Sequence, residues 1–81
     1  SMGTLSKEER IRLSDSAKQF VESPVMNGVF TSLLKSYMSE LIATPAGDDR
    51  VKHIHAKIVG LEDIKKDLQA LVNDGTMIRN R

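Results

Sequence analysis

Two histidines, His53 and His55, stand with one residue between them in a chain of 81 residues that has no cysteine. Paired imidazoles suit a transition metal, but helical metal sites space their ligands at i and i+4. Residues two apart on a helix point about 200° away from each other. His53 and His55 therefore read as surface or interface side chains. Asp63 and Asp67 do have the i,i+4 spacing, which fits a divalent ion or a carboxylate pair for acid–base work. Lys65 and Lys66 lie between them and no third ligand is apparent, so a solvated helix face is the expectation.

Nucleophilic chemistry finds no better support. Ser14, Ser16, Ser32, Ser36 and Ser39 carry hydroxyls, but none lies in a strand-to-helix elbow or beside a histidine in the sequence. Gly47-Asp48 and Asp74-Gly75 each hold one glycine, which is turn chemistry and not a phosphate-cradling loop. Arg79 and Arg81 at the chain end are read as solubilising, although arginines can contact phosphate. The residues thus predict a non-enzyme, with no catalytic residue, no cofactor, no metal and no small-molecule substrate.

The elements that carry these residues are helical. Ser6-Lys7-Glu8-Glu9 has the Ser-x-x-Glu form of a capping box and predicts a first helix over about 6–22. Its apolar stripe of Leu13, Ala17, Phe20 and Val21 is thin. Ser23-Pro24 supplies both a stop and a start, because serine is a favoured N-cap and proline suits the first helical position. A second helix follows over about 24–44. Its apolar residues come in adjacent pairs every four positions, Val25-Met26, Val29-Phe30, Leu33-Leu34, Tyr37-Met38 and Leu41-Ile42, a face broader than one neighbouring helix covers.

Thr44-Pro45-Ala46-Gly47-Asp48 breaks the helical pattern, since proline cannot continue a helix and glycine then aspartate prepare a new N-terminus. The third helix is predicted over about 48–73, with Asn73-Asp74-Gly75 as a left-handed stop. Val51, Ile54, Ile58, Leu61, Leu68 and Val72 make a 3-4 seam, and Gly60 within it reads as a point where another backbone approaches. Leu33, Leu34, Leu41, Ile54, Ile58 and Leu61 are expected to cluster in one core. Residues 76–81 read as a frayed basic tail. Residues 1–5 read as a tag remnant and a disordered N-terminus, with Ser1 preceding Met2.

A chain this short forms one domain, 1–81, and buries only about 60–65% of its unfolded surface, so self-association is an obvious source of stability. Its 12 basic and 11 acidic residues are scattered, giving a net charge of +1. A nucleic-acid partner is therefore not expected. No apolar run approaches the roughly 18 residues that span a bilayer, and no leader pattern opens the chain, so a soluble intracellular protein is expected.

Several segments together resemble a known family. Glu22-Ser23-Pro24-Val25-Met26 leads into a helix with Phe30 and Leu33-Leu34, the Thr44-Pro45 break follows, and then comes His53-Ile54-His55-Ala56-Lys57-Ile58-Val59-Gly60-Leu61-Glu62-Asp63-Ile64, with Leu71-Val72-Asn73-Asp74-Gly75 at the end. Over about residues 10–75 this resembles a family of small helical proteins encoded in the virion-assembly gene clusters of tailed bacteriophages and prophages. The resemblance implies a phage or prophage origin, a location in the bacterial host cytoplasm or in a virion, and a role in assembly or host contact.

The combined expectation is an all-α protein of three helices dominated by an antiparallel hairpin of the second and third. It acts as a structural or morphogenesis factor that forms homo-oligomers and binds a larger virion protein, with Met26, Phe30, Tyr37 and Met38 as the self-association residues. The alternative is a small DNA-binding regulator with a helix-turn-helix made from the first two helices. Against it stand the balanced charge and the poor base-reading equipment of Pro24-Val25-Met26-Asn27.

Overall fold

A computed structural model describes residues 4–81. Those residues form an all-α fold of three helices, α1 (Lys7–Glu22), α2 (Pro24–Ala43) and α3 (Arg50–Arg79). The expectation for residues 1–5 lies partly on 1–3, outside the described residues, and Leu5 is half-buried.

The helix starts follow local chemistry. Ser6 accepts from the Glu9 N–H while the Glu9 carboxylate accepts from the Ser6 N–H, closing the capping box. Ser23 is at once the C-cap of α1 and the N-cap of α2, its hydroxyl accepting from the Met26 N–H. Its extended backbone (φ −68°, ψ 130°) is the geometry that a following proline favours. The Asn27 amide then donates to the carbonyls of Val21 and Ser23, both at 3.1 Å, and helps satisfy the C-terminal carbonyls of α1 across the joint. Replacing Asn27 with alanine is expected to cost about 0.5–1.5 kcal/mol, read in a chemical melt.

At the second break the Asp48 N–H donates to the Pro45 carbonyl, and Asp48 Oδ1 accepts from the Arg50 N–H at 2.8 Å. Asp49 makes no side-chain cap, so Asp48 does the capping for α3.

The expected antiparallel hairpin of α2 and α3 is present, but it does not dominate the packing. α2 does lie antiparallel to α3, with Met26 beside Leu61 at one end and Lys57 beside Tyr37 and Glu40 toward the other. The closest and most extensive packing is instead between α1 and α3. Ser14 meets α3 at Val72 and Gly75, whereas the α1–α2 joint sits near Leu61 and Lys65. α1 and α2 thus form one arm, bent at Ser23, that runs antiparallel along α3. The spine α3 is 30 residues long, roughly 45 Å, and the whole molecule measures 51 × 26 × 16 Å.

α3 also overruns its predicted stop. Gly75 has no positive φ and continues the helix to Arg79, so the expected frayed tail at 76–81 is helical over most of its length. The reason is tertiary. A Cβ at 75 would fall on the Oγ and Cβ of Ser14, so the glycine serves the close approach of α1. The Ser14 hydroxyl donates to the Val72 carbonyl at 3.1 Å, Asp74 accepts from Arg10, and Ile78 on the added turn is 3% exposed.

Gly60, where a close approach was expected, has open space around its Cβ position. Gly60→Ala should therefore stabilise the protein by about 0.5–1 kcal/mol through helix propensity alone, visible as a raised midpoint in urea.

The predicted core is only partly present. Ile54 and Leu61 are buried, Leu34, Leu41 and Ile58 are half-buried, and Leu33 is exposed. A slab one arm wide against one spine has no third layer to enclose them.

Candidate interaction surface

The paired rows of α2 divide between inside and outside. In the first half of the helix the second member of each pair, Met26, Phe30 and Leu34, faces α3, while Val25, Val29 and Leu33 lie one residue back, about 100° around the helix, and are exposed. After Leu34 the inward row steps by three to Tyr37 and then by four to Leu41. The order within the pairs therefore reverses, and Met38 and Ile42 become the exposed members. α2 so carries two outward apolar patches on opposite flanks.

These placements decide the fate of the expected self-association residues. Met26 is 5% exposed at the crossing of α2 and α3 and has no surface to offer. Phe30 is half-buried beside Leu61, and Tyr37 is half-buried with the Lys57 Nζ 5.6 Å from its ring centroid. Of the four, only Met38 is exposed. Val25, Val29, Leu33 and Ile42, which the sequence reading left out of that set, are exposed as well. The sequence carries no signal for that choice, because every junction between successive pairs offers the same three-residue step.

Two depressions lie among the described residues, one small and one of about 340 Å³ that is open to solvent. A cleft of about 110 Å³ between α2 and α3, lined by Met26, Phe30, Leu34 and Leu61, is smaller than the few hundred Å³ of a typical ligand site. A second depression, formed by Leu5, Glu9, Arg12, Leu13 and Ser16, lies along the outside of one helix. His53, His55, Asp63 and Asp67 are all exposed, and no three metal-ligating side chains gather among the described residues.

Charge clusters where the helices are tied together. Arg10 donates through Nε to Asp74 at 2.9 Å and through its terminal nitrogen to the second oxygen, a bidentate clamp between α1 and α3. The hydrogen bonds from Arg10 hold the Asp74 carboxyl below its ordinary range. The Arg50 side chain, and after it the Arg50 N–H, lower Asp48 from an ordinary 3.8 to about 2. Arg79, expected in a loose tail, donates to both oxygens of Asp15 at 2.8 Å on the exposed edge of the α1–α3 contact.

A carboxyl whose pKa is depressed by folding stabilises the native state above its unfolded pKa and loses that effect as pH falls through its folded pKa. The melting temperature should therefore hold level from neutral pH to about 4 and fall between about 4 and 2, with Asp48→Asn and Asp74→Asn each flattening that decline.

The fold and its surface define a small all-α protein in which a bent two-helix arm lies on a long spine, with apolar residues turned outward. Compared with protein-family models, curated proteins and solved structures, the chain matches none. Among the described residues no helix is long and apolar enough to cross a membrane.

Proposed function

We propose that this protein is a non-enzymatic helical interaction protein, a small phage or prophage structural or morphogenesis factor that associates with itself and docks on a larger virion protein. The observation that carries the reading is the balance of apolar side chains among the described residues. Ala17, Met26, Ile54, Leu61 and Ile78 are buried, whereas ten large apolar side chains are exposed, Val25 by 76% and Ile42 by 83%. An 81-residue domain gains little stability from so small a core, and burying its outward residues against a partner supplies the remainder. The assignment to phage assembly rests on the family resemblance of residues 10–75. The single-residue joint at Ser23 leaves no room for the three- or four-residue turn of a helix-turn-helix, which counts against a DNA-binding role.

Two measurements test this. Sedimentation at micromolar concentration should give a species heavier than one chain, and a clean monomer overturns the self-association. The encoding gene should lie among capsid, portal or terminase genes, and a chromosomal setting remote from any prophage overturns the viral assignment.

A further inference from the structure

We infer that the back of α3, the side turned away from the arm, is the contact between two copies of this chain, packed antiparallel with Asp63 of each copy against Lys66 of the other. This rests on the self-association reading and says which face performs it. The inward residues Ile54, Leu61, Leu68 and Gly75 recur every seven positions along the spine, and all are buried or half-buried. Residues two before and two after each of them lie about 200° around the helix, so a second seven-residue repeat follows the back of α3 along its length. Ala56, Val59, Asp63, Lys66, Ala70 and Met77 on that repeat are all exposed, Val59 by 43% and Met77 by 60%, and Lys52 and Asn73 complete it. Their alternating steps of four and three are the spacing of a coiled-coil seam.

Charge names the occupant and its direction. Asp63 and Lys66 stand at the centre of the seam with opposite signs, and among the described residues neither forms an ion pair within the chain. A parallel pair of copies would set Asp63 against Asp63 and Lys66 against Lys66. An antiparallel pair with its two-fold midway between these residues opposes Asp63 to Lys66 on both sides of the axis and sets Val59 against Ala70. A uniformly charged partner would meet one residue that repels it, whereas a second copy matches both, and such self-complementarity is what an isologous contact requires.

The same charges fix the register. Sliding one copy by seven residues in either direction leaves Lys66 against an alanine and Asp63 against Val59 or Asn73. In the matched register the charges beside the seam do not repel, because Glu62 comes opposite Gln69 of the other copy and Asp67 opposite Gly60. The ion pairs select direction and register, as polar residues in a coiled-coil seam do, while burial of Val59 and Met77 supplies attraction.

The test uses the full chain. Asp63 and Lys66 are exposed, so reversing either charge leaves the monomer's own packing intact. The wild type should sediment as a dimer at micromolar concentration, and Asp63→Lys and Lys66→Asp should each weaken dimerisation at least about tenfold with helical circular dichroism retained. Asp63→Lys combined with Lys66→Asp should restore the dimer, because each pair re-forms with its signs exchanged. Since the chain has no cysteine, introduced ones report proximity directly. Val59→Cys combined with Ala70→Cys should oxidise to a disulfide-linked dimer, and neither alone should, because like positions of the two copies stand roughly 16 Å apart in this register. A wild-type monomer overturns this contact together with the self-association reading. A wild-type dimer that survives either charge reversal, that the combined reversal fails to restore, or that Val59→Cys alone cross-links overturns this contact and leaves self-association standing.

Discussion

Replacing Ile54 with alanine is expected to leave much of the protein unfolded at room temperature. Ile54 is 1% exposed, the most deeply placed of the buried apolar side chains on the spine. Truncating a buried isoleucine forfeits its transfer free energy and leaves a cavity, about 2–5 kcal/mol in total. A domain of this length has about 4–12 kcal/mol to lose. The flat shape and sparse core described above place this chain toward the lower end. The corresponding fall in melting temperature is on the order of 10–30 °C. Ile58, one turn on and half-buried, should lose less on the same replacement. Circular dichroism melts of the two variants decide the matter, and an Ile54→Ala protein that melts with the wild type refutes the burial of Ile54 in the core.

Gly75→Leu is the second large effect, and its sign runs against helix propensity. In an ordinary helix interior, leucine in place of glycine stabilises by something near 1 kcal/mol. Here a Cβ alone would strike the Cβ and Oγ of Ser14, and a Cβ cannot rotate out of the way as the tip of a long side chain can. α1 must move off α3, which breaks the hydrogen bond from Ser14 to the Val72 carbonyl and pulls Arg10 from Asp74. A cost of about 3 kcal/mol or more is expected, with α1 amides exchanging fast while those around Ile54 stay protected longer. The milder Gly75→Ala should be partly rescued by Ser14→Gly, a coupling that only direct contact produces. If Gly75→Leu raises the melting temperature, as Gly60→Ala is expected to, then α1 does not pack on α3 at this point.

Helix type and helix starts were legible in the sequence because they depend on groups a few residues apart. The Ser6–Glu9 box, the Ser23-Pro24 joint and the Thr44-Pro45 break act within a single turn of chain, and each appears where its chemistry places it. The breadth of apolar surface on α2 was legible too, since five adjacent pairs exceed what one neighbour covers.

Long-range contacts decided the rest. Asn73-Asp74-Gly75 has the local form of a helix stop, but α1 lies across it, where Arg10 and Ser14 give Asp74 and Gly75 other uses and burial of Ile78 favours another helical turn. The dominance of α1 over α2 in packing against the spine was equally hidden. A contact built from Ser14, Ala17 and Gly75 leaves almost no hydrophobic pattern, because small residues act by letting backbones approach. Which member of each apolar pair on α2 faces inward depended on the course of α3 alongside it. That course turned Met26 into core and left Val25, Val29 and Leu33 outside. Residue types and spacing thus determined that the chain would be three helices with apolar surface to spare, while the path of a 30-residue spine determined where that surface lies.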